Sequence, residues 1–357
     1  MRLVIDATGA ELGGIHTYAR HLISAWRRTT DDDLHVLTPA NGIEGVDPNG
    51  LHLYPVPARP PALLRRPVAQ TRLVSRLVDD LSPDAVLAAH PATTLLHPGV
   101  PLVVVVHDLR HELRPAQFSR VRRLSRALAY ERSYRLADGF VAISQRTLDD
   151  LHRLHPATAS RRASVVHHGA DHADGWSDVA PHGSAVTFAH HSNKNLDLVL
   201  DAWSMLPGAP PLRVLGVAPE RRPGLEAELR RRRLLHVEPA PYLSDEEFEA
   251  ALAGASAIVF PSDFEGFGLP IVEGMRRGVP VVIGPDAACL EVAGGHAFAM
   301  TAFTASELAR ATLDALASSE AQREAARAYA ERFTWERSVT ATRLLLASVS
   351  SAARGPG

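Results

Sequence analysis

Two glutamates, one lysine and one histidine stand where chemistry can be done. Residues 260–273 read Phe-Pro-Ser-Asp-Phe-Glu-Gly-Phe-Gly-Leu-Pro-Ile-Val-Glu, with Glu265 and Glu273 separated by seven residues around Gly266, Gly268 and Pro270. Glycines at the end of a strand let backbone N–H groups approach an anion, and a helix N-terminus favours negative charge. Glu273 falls about one turn inside the helix that Pro270 opens, where simple satisfaction of the helix end would also explain it. Glu265 lies too far ahead of that helix to cap it. Of 38 basic residues 37 are arginine, and the single lysine is Lys194. A compact ammonium on a flexible stem serves a different purpose from a planar guanidinium fork. His107 and Asp108 follow the valines 103–106 and form a polar pair at the end of an apolar run. Gly13 and Gly14 precede a helical pattern, which by itself predicts no more than a tight turn.

These residues need elements to place them, and the chain alternates strand and helix patterns twice. Apolar runs at 3–5, 34–37, 51–56, 85–88, 102–106, 140–142 and 163–166 read as strands. Helical periodicity lies between them, at 15–28, 68–81 and 121–136, and Ser144 is placed to cap a further helix. Continuous apolar strands suit a parallel sheet covered on both faces. Residues 168–184 break the rhythm and read as an interdomain linker. Strands then recur at 185–189, 212–215, near Val237, at 257–260 and at 279–283, with helices at 195–205, 224–233, 245–253 and 270–277. Three helical patterns, 305–317, 320–332 and 335–349, end the chain. The expectation is an α/β protein of two doubly wound units facing one another: 1–170 with 336–357, and 171–335.

Composition narrows the class. The 357 residues are 46% hydrophobic and 22% charged, which excludes a disordered or collagen-like chain. No apolar run reaches the ~18 residues of a membrane span. No apolar stretch follows a basic head at the N-terminus, which predicts no secretory signal. The one cysteine, Cys289, excludes an internal disulfide framework and a cysteine zinc cluster, and a reducing, cytoplasmic setting fits it. Residues 1–165 carry 21 arginines against 16 acids, and residues 166–357 carry 17 basic residues against 24 acids. That asymmetry points to different ligands for the two units, but is too mild for nucleic acid. Asp31-Asp32-Asp33 reads as a solvated turn before a strand, and no Asp-x-Asp metal clamp stands at a strand end.

The string Phe-Glu-Gly-Phe-Gly-Leu-Pro-x-x-Glu at 264–273 resembles the signature of retaining GT-B glycosyltransferases of family four. The resemblance implies two Rossmann-like domains across a cleft and a last helix, opened by Phe333-Thr334-Trp335-Glu336, that crosses back to the first. It implies that Glu265 lies near the transferred sugar and that Glu273 holds the ribose hydroxyls. The amides of Phe267, Gly268 and Leu269 would contact sugar and phosphate. Ser192-Asn193-Lys194-Asn195-Leu196 resembles the segment whose lysine pairs with the donor diphosphate. The 13–18 segment resembles the Gly-Gly loop, with the Gly14 amide on the diphosphate, and 105–109 resembles the His-Asp-Leu segment of His107. Many members carry an arginine where Phe188-Ala189-His190-His191-Ser192 stands, so either His190 or His191 takes part in the phosphate clamp or an arginine from elsewhere does.

The resemblance thus implies a retaining, metal-independent hexosyltransferase with catalytic residues His107 and Glu265. The nucleotide-diphosphate sugar is co-substrate, with no further cofactor. The acceptor is a hydroxyl of a glycolipid, polysaccharide or natural product. Arginines at 65, 66, 72, 76, 120, 122, 123 and 126 are either solvated helix faces or a contact for an anionic acceptor or the inner face of a membrane. Three rivals stand beside this reading: a non-catalytic nucleotide-sugar-binding protein, a nucleotide-sugar epimerase on the same fold, and a pyridoxal phosphate enzyme using Lys194 as its Schiff base.

Overall fold

The computed structural model describes residues 1–11, 13–57, 62–206 and 208–353, and the chain divides into two compact units, Met1–Gly169 with Thr334–Gly357, and Ala170–Phe333. The side chains at 62–65, and so Arg65, lie outside what is described.

In the first unit seven strands pair in parallel: β1 (Arg2–Asp6), β2 (Asp33–Pro39), β3 (His52–Val56), β4 (Ala85–Ala88), β5 (Leu102–Val106), β6 (Gly139–Ala142) and β7 (Arg162–Val165). Their order is β3-β2-β1-β4-β5-β6-β7. Every residue of β4 and β5 is buried, as expected of strands covered on both faces. The helix Gly14–Thr29 returns from β1 to β2 and buries Tyr18, Ala19, Leu22, Ile23 and Trp26.

The last helix, Trp335–Ala353, belongs to this unit and packs on the helix Gly14–Thr29 and on β4, β6 and β7. Gly139 makes room for it, since a Cβ there would lie 2.9 Å from the Val349 methyl Cγ2. Arg343 fixes it further, donating to both oxygens of Asp32 at 2.7 and 2.9 Å. The reading of Asp31-Asp32-Asp33 as a solvated turn is therefore corrected. The Asp32 side chain is 1% exposed, takes a hydrogen bond from the Trp26 indole at 2.9 Å and pairs with the Met1 ammonium. Asp33 starts β2.

The second unit repeats the topology with β8 (Ala185–Phe188), β9 (Leu212–Leu215), β10 (Val237–Pro239), β11 (Ile258–Phe260), β12 (Val281–Ile283) and β13 (Phe298–Ala299), ordered β10-β9-β8-β11-β12-β13, all parallel. Two apolar layers, one either side of the sheet strands, hold Phe188, Phe260, Ile271 and Met275 in one and Trp203, Val259 and Leu308 in the other. The helix Ala287–Ala293 and β13 escaped the sequence reading because seven and two residues are too short to show a period. Residues 168–184 are more than a linker: Ala170 and Ala173 are fully buried around the turn Asp171–Gly175.

Candidate active site

In each sheet the strand order reverses once, between β1 and β4 and between β8 and β11. Chains leaving such neighbours diverge, and the crevice at their carboxyl ends is where open α/β sheets bind ligands. In the second unit the two loops that flank this point carry Lys194 and Glu265.

The β8 loop ends in a short turn, Ser192–Lys194, then Asn195 in the left-handed region at φ 51°. Its side chains tie it to the β11 loop. Asn195 Nδ2 donates to the Pro261 carbonyl at 2.9 Å, and Asn193 Nδ2 donates to the Phe264 carbonyl and to Glu265 Oε1, both at 2.9 Å. Lys194 Nζ donates to the same Glu265 oxygen at 2.5 Å and sits 4.1 Å from the centre of the Phe260 ring. The Lys194 and Glu265 side chains are only 8% and 15% exposed. A pair held that far from water is costly to break from one side, because the remaining charge loses its partner. The family resemblance implies separate tasks for these two residues; the structure joins them in one ion pair.

Gly268 opens the helix Leu269–Arg276 at φ 96°, a conformation glycine takes without strain, and a Cβ there would press on Ile271 Cδ1 at 2.9 Å. Pro270 occupies the first turn. Phe267 packs its ring edge-on to Phe333, so the side chain belongs to the core. Glu273 is 5% exposed inside this helix, and His172 Nε2 lies 3.0 Å from its Oε1. His172 comes from the stretch read as a linker. It and Asn193 are the site residues that sequence reasoning missed, and no local pattern marks either, since both act through partners about 70 to 100 residues away.

His190 and His191 are exposed at the end of β8, with Gly216 fitted beneath His190. Arg221, from the loop after β9, brings a guanidinium to the same strand end and donates to the Ala189 carbonyl at 3.4 Å. Both of the sequence alternatives for the absent arginine are thus represented at that strand end.

In the first unit Gly13 holds φ 69° and Gly14 begins its helix, both exposed. His107 follows β5 directly, and its Nε2 lies 2.8 Å from the Ala89 carbonyl. A carbonyl only accepts, so Nε2 carries the proton and Nδ1 is left as an acceptor. Burial lowers the His107 pKa, outweighing the carbonyl bond and Asp108, which raise it. The ring is steered by the edge of Tyr18 at 4.9 Å. Asp108 turns to the backbone and accepts the Arg110 N–H at 2.9 Å. Beneath the β1 loop, buried Asp6 accepts from Thr8 at 2.8 Å, from Thr93 at 2.5 Å and from Gln70, a network that fixes the loop's start.

The sequence matches the model of Glycosyltransferase Family 4 over residues 12–174 and that of Glycosyl transferases group 1 over residues 184–318. The chain belongs to this glycosyltransferase family. It is similar to the O-antigen chain mannosyltransferase B of Escherichia coli, 35% identical over 105 residues, 28% of this chain and 27% of that protein. It is also similar to the MMP alpha-(1->4)-mannosyltransferase of Mycolicibacterium hassiacum, 50% identical over 52 residues, 15% of this chain and 13% of that one. The matches thus span about a quarter of the first relative and less of the second. The sucrose-phosphate synthase of Thermosynechococcus elongatus shares the fold at TM-score 0.73 and 16% identity, covering 99% of this chain and 100% of that chain. Anabaena HepE, solved with UDP-glucose, does so at 0.71 and 18%, covering 98% and 100%. The fold is GT-B, two Rossmann-like units.

Proposed function

We propose that the chain moves a hexosyl group, mannosyl in the first instance, from a nucleoside-diphosphate sugar to an acceptor hydroxyl, with retention at the anomeric carbon and without a metal ion. The observation that carries the reading is the buried Lys194–Glu265 pair at the β8/β11 crevice, with Glu273, about one turn inside the helix Leu269–Arg276, held by His172. Mannosyl is supported by the relatives, which are mannosyltransferases.

The bond from the anomeric carbon to the diphosphate oxygen breaks with its electron pair on oxygen, and the acceptor oxygen forms the new bond while its proton passes to the departing diphosphate. Charge that grows on the diphosphate needs fixed donors. Lys194, the amides at Gly268 and Leu269, His190 with Arg221, and the Gly14 amide supply them, which is why no metal is invoked. Glu265 steadies the sugar as positive charge develops, Glu273 holds the ribose hydroxyls, and His107 Nδ1 accepts from a hydroxyl of sugar or acceptor. Retention rests on the family.

The acceptor carrier is proposed to lie at an anionic membrane face. The helix Arg120–Leu136 exposes Val121, Leu124 and Leu128 at 72%, 61% and 66%, beside exposed Arg120, Arg122 and Arg123. Among the described residues no helix is long and apolar enough to cross a membrane.

The test is a thermal-shift panel of UDP, GDP, ADP and dTDP, followed by transfer assays with and without EDTA. A ligand at 100 times its dissociation constant adds about 2.7 kcal/mol. One nucleotide should stabilise the protein, and its sugar should be transferred undiminished in EDTA. Stabilisation with no transfer to any hydroxyl acceptor leaves the binding-protein rival in place. No stabilisation by any nucleotide overturns the proposal.

A further inference from the structure

We propose a binding site for a divalent transition-metal ion, zinc by its donor set, at the amino ends of β2 and β3, formed by Asp33, His35 and His52. It lies at the opposite end of the first sheet from Asp6 and His107, and takes no part in the transfer reaction.

Three facts of strand geometry bring the ligands together. Asp33 and His35 are two apart on β2 and so share a face of the sheet. His35 is register partner to His52 on β3, and the two imidazoles stack at 4.5 Å with 11° between their planes. One oxygen, Asp33 Oδ1, lies 3.2 Å from His35 Nε2 and 3.5 Å from His52 Nε2, and all three candidate ligand atoms fall within 4.8 Å of one another. Zinc bonds of about 2.0–2.1 Å set tetrahedral ligand atoms about 3.3–3.4 Å apart, close to the two measured edges.

The state of His35 is an independent pointer. The residue is 4% exposed, and its Nε2 is buried without a hydrogen-bond partner. Asp33 Oδ1 is within ion-pair reach but off the direction in which the ring nitrogen bonds. Nδ1, at the ring's other side, lies 3.0 Å from the Tyr54 hydroxyl. With Nδ1–H given to Tyr54, Nε2 presents a bare lone pair beside a carboxylate, and such an arrangement calls for a cation between them. Arg2 Nε holds the other Asp33 oxygen, Oδ2, at 2.7 Å, which turns Oδ1 toward the histidines. Two neutral imidazoles and one carboxylate suit zinc and leave a fourth position for water. His52, 60% exposed, gives the entry path. Since β3 is an edge strand, the ion would staple it to β2.

The experiment titrates the whole chain with Zn²⁺ against a chromogenic chelator and repeats it with Co²⁺, whose visible absorption reports four-coordination. One equivalent should bind per chain, and His52→Ala and Asp33→Asn should each weaken it at least tenfold with unchanged circular dichroism. His52→Ala carries the test, because its exposed side chain is removed without loss of core. Absence of a stoichiometric site, affinity unchanged by both substitutions, or a six-coordinate cobalt spectrum would overturn the proposal.

Discussion

Lys194 Nζ donates to one oxygen of Glu265 at 2.5 Å, so altering either residue leaves the other's charge without its partner. Lys194→Ala removes the cation for the diphosphate and strands a carboxylate where an anion must bind. Its dissociation constant for the nucleoside diphosphate should rise at least tenfold, with the nucleoside nearly unaffected; equal losses for both would detach Lys194 from the phosphate. Glu265→Gln works the other way. It leaves the ammonium unneutralised, so the nucleoside diphosphate should bind as tightly or more tightly while turnover falls at least a hundredfold. Glu273→Ala should weaken nucleoside and nucleoside diphosphate alike, and His172→Ala should reproduce part of that loss, because His172 meets the buried Glu273 carboxylate at 3.0 Å. His107 adds a pH signature. In its proposed role it is a neutral acceptor at Nδ1, and burial holds its pKa below 6.5. Transfer by the native protein should therefore fall on the acid side only below pH 6.5, and His107→Ala should lose that limb together with most of the rate while keeping nucleotide affinity. An acid limb above pH 6.5 that survives the substitution would assign it to another group. Which residues form the candidate site was legible because Glu265, Glu273 and Lys194 sit within short motifs. Their pairing was not, since Asn193 and His172 find their partners through the fold of the chain and not through neighbours in sequence.

Elements followed from periodicity where they were long. Strands β4 and β5 and the helix Asp245–Ala253 stand where the apolar patterns place them, and Ser144 caps its helix by accepting the Thr147 N–H at 3.1 Å. Charge was a poorer guide than apolarity. Three consecutive aspartates suggest solvent, yet Asp32 is drawn inward because the last helix offers Arg343 from about 300 residues away. That contact has a pH dependence with a definite sign. Burial raises the Asp32 pKa, but the bonds from Arg343, the terminal ammonium and Trp26 outweigh it and hold the carboxyl at about 2, against an ordinary 3.8. A carboxyl depressed in the folded state stabilises it above its unfolded pKa and loses that contribution as pH falls toward the folded value. Asp32→Asn should cost about 1–3 kcal/mol at pH 7, from the loss of hydrogen bonds to a charged group. The gap between native and variant melting temperatures should shrink below about pH 4. A gap that stays constant from pH 7 to pH 3 would show that the helix is held by packing alone.

The two units repeat one topology but differ in charge, arginine excess before residue 165 and acid excess after it. Topology was readable from the twofold recurrence of strand and helix. A surface is harder to read, because nothing in a sequence tells a leucine that faces solvent from one that faces the core. The helix Arg120–Leu136 shows this: its three large apolar residues at 121, 124 and 128 fall at helical spacing, and that pattern alone would put them inside, yet they are exposed. Near them Val68, Leu95 and Leu96 line a surface pocket of about 430 Å³ flanked by Arg72 and Arg132. Apolar side chains that enter the acyl region, with arginines at the headgroups, are the composition of a helix lying in a membrane interface. Each arginine near an anionic surface contributes about 1 kcal/mol, and that part is screened by salt. The protein should therefore co-sediment with vesicles containing phosphatidylglycerol at low salt, bind neutral phosphatidylcholine vesicles at least tenfold more weakly, and be released from the anionic ones in 0.5 M NaCl. Leu124→Asp with Leu128→Asp should abolish sedimentation without lowering the melting temperature, because both side chains are already in water. Arg122→Gln with Arg123→Gln should reduce both the affinity and its salt dependence. Equal binding to neutral and anionic vesicles, or anionic binding indifferent to both pairs of substitutions, would remove the membrane from the account and leave the arginines as a solvated face.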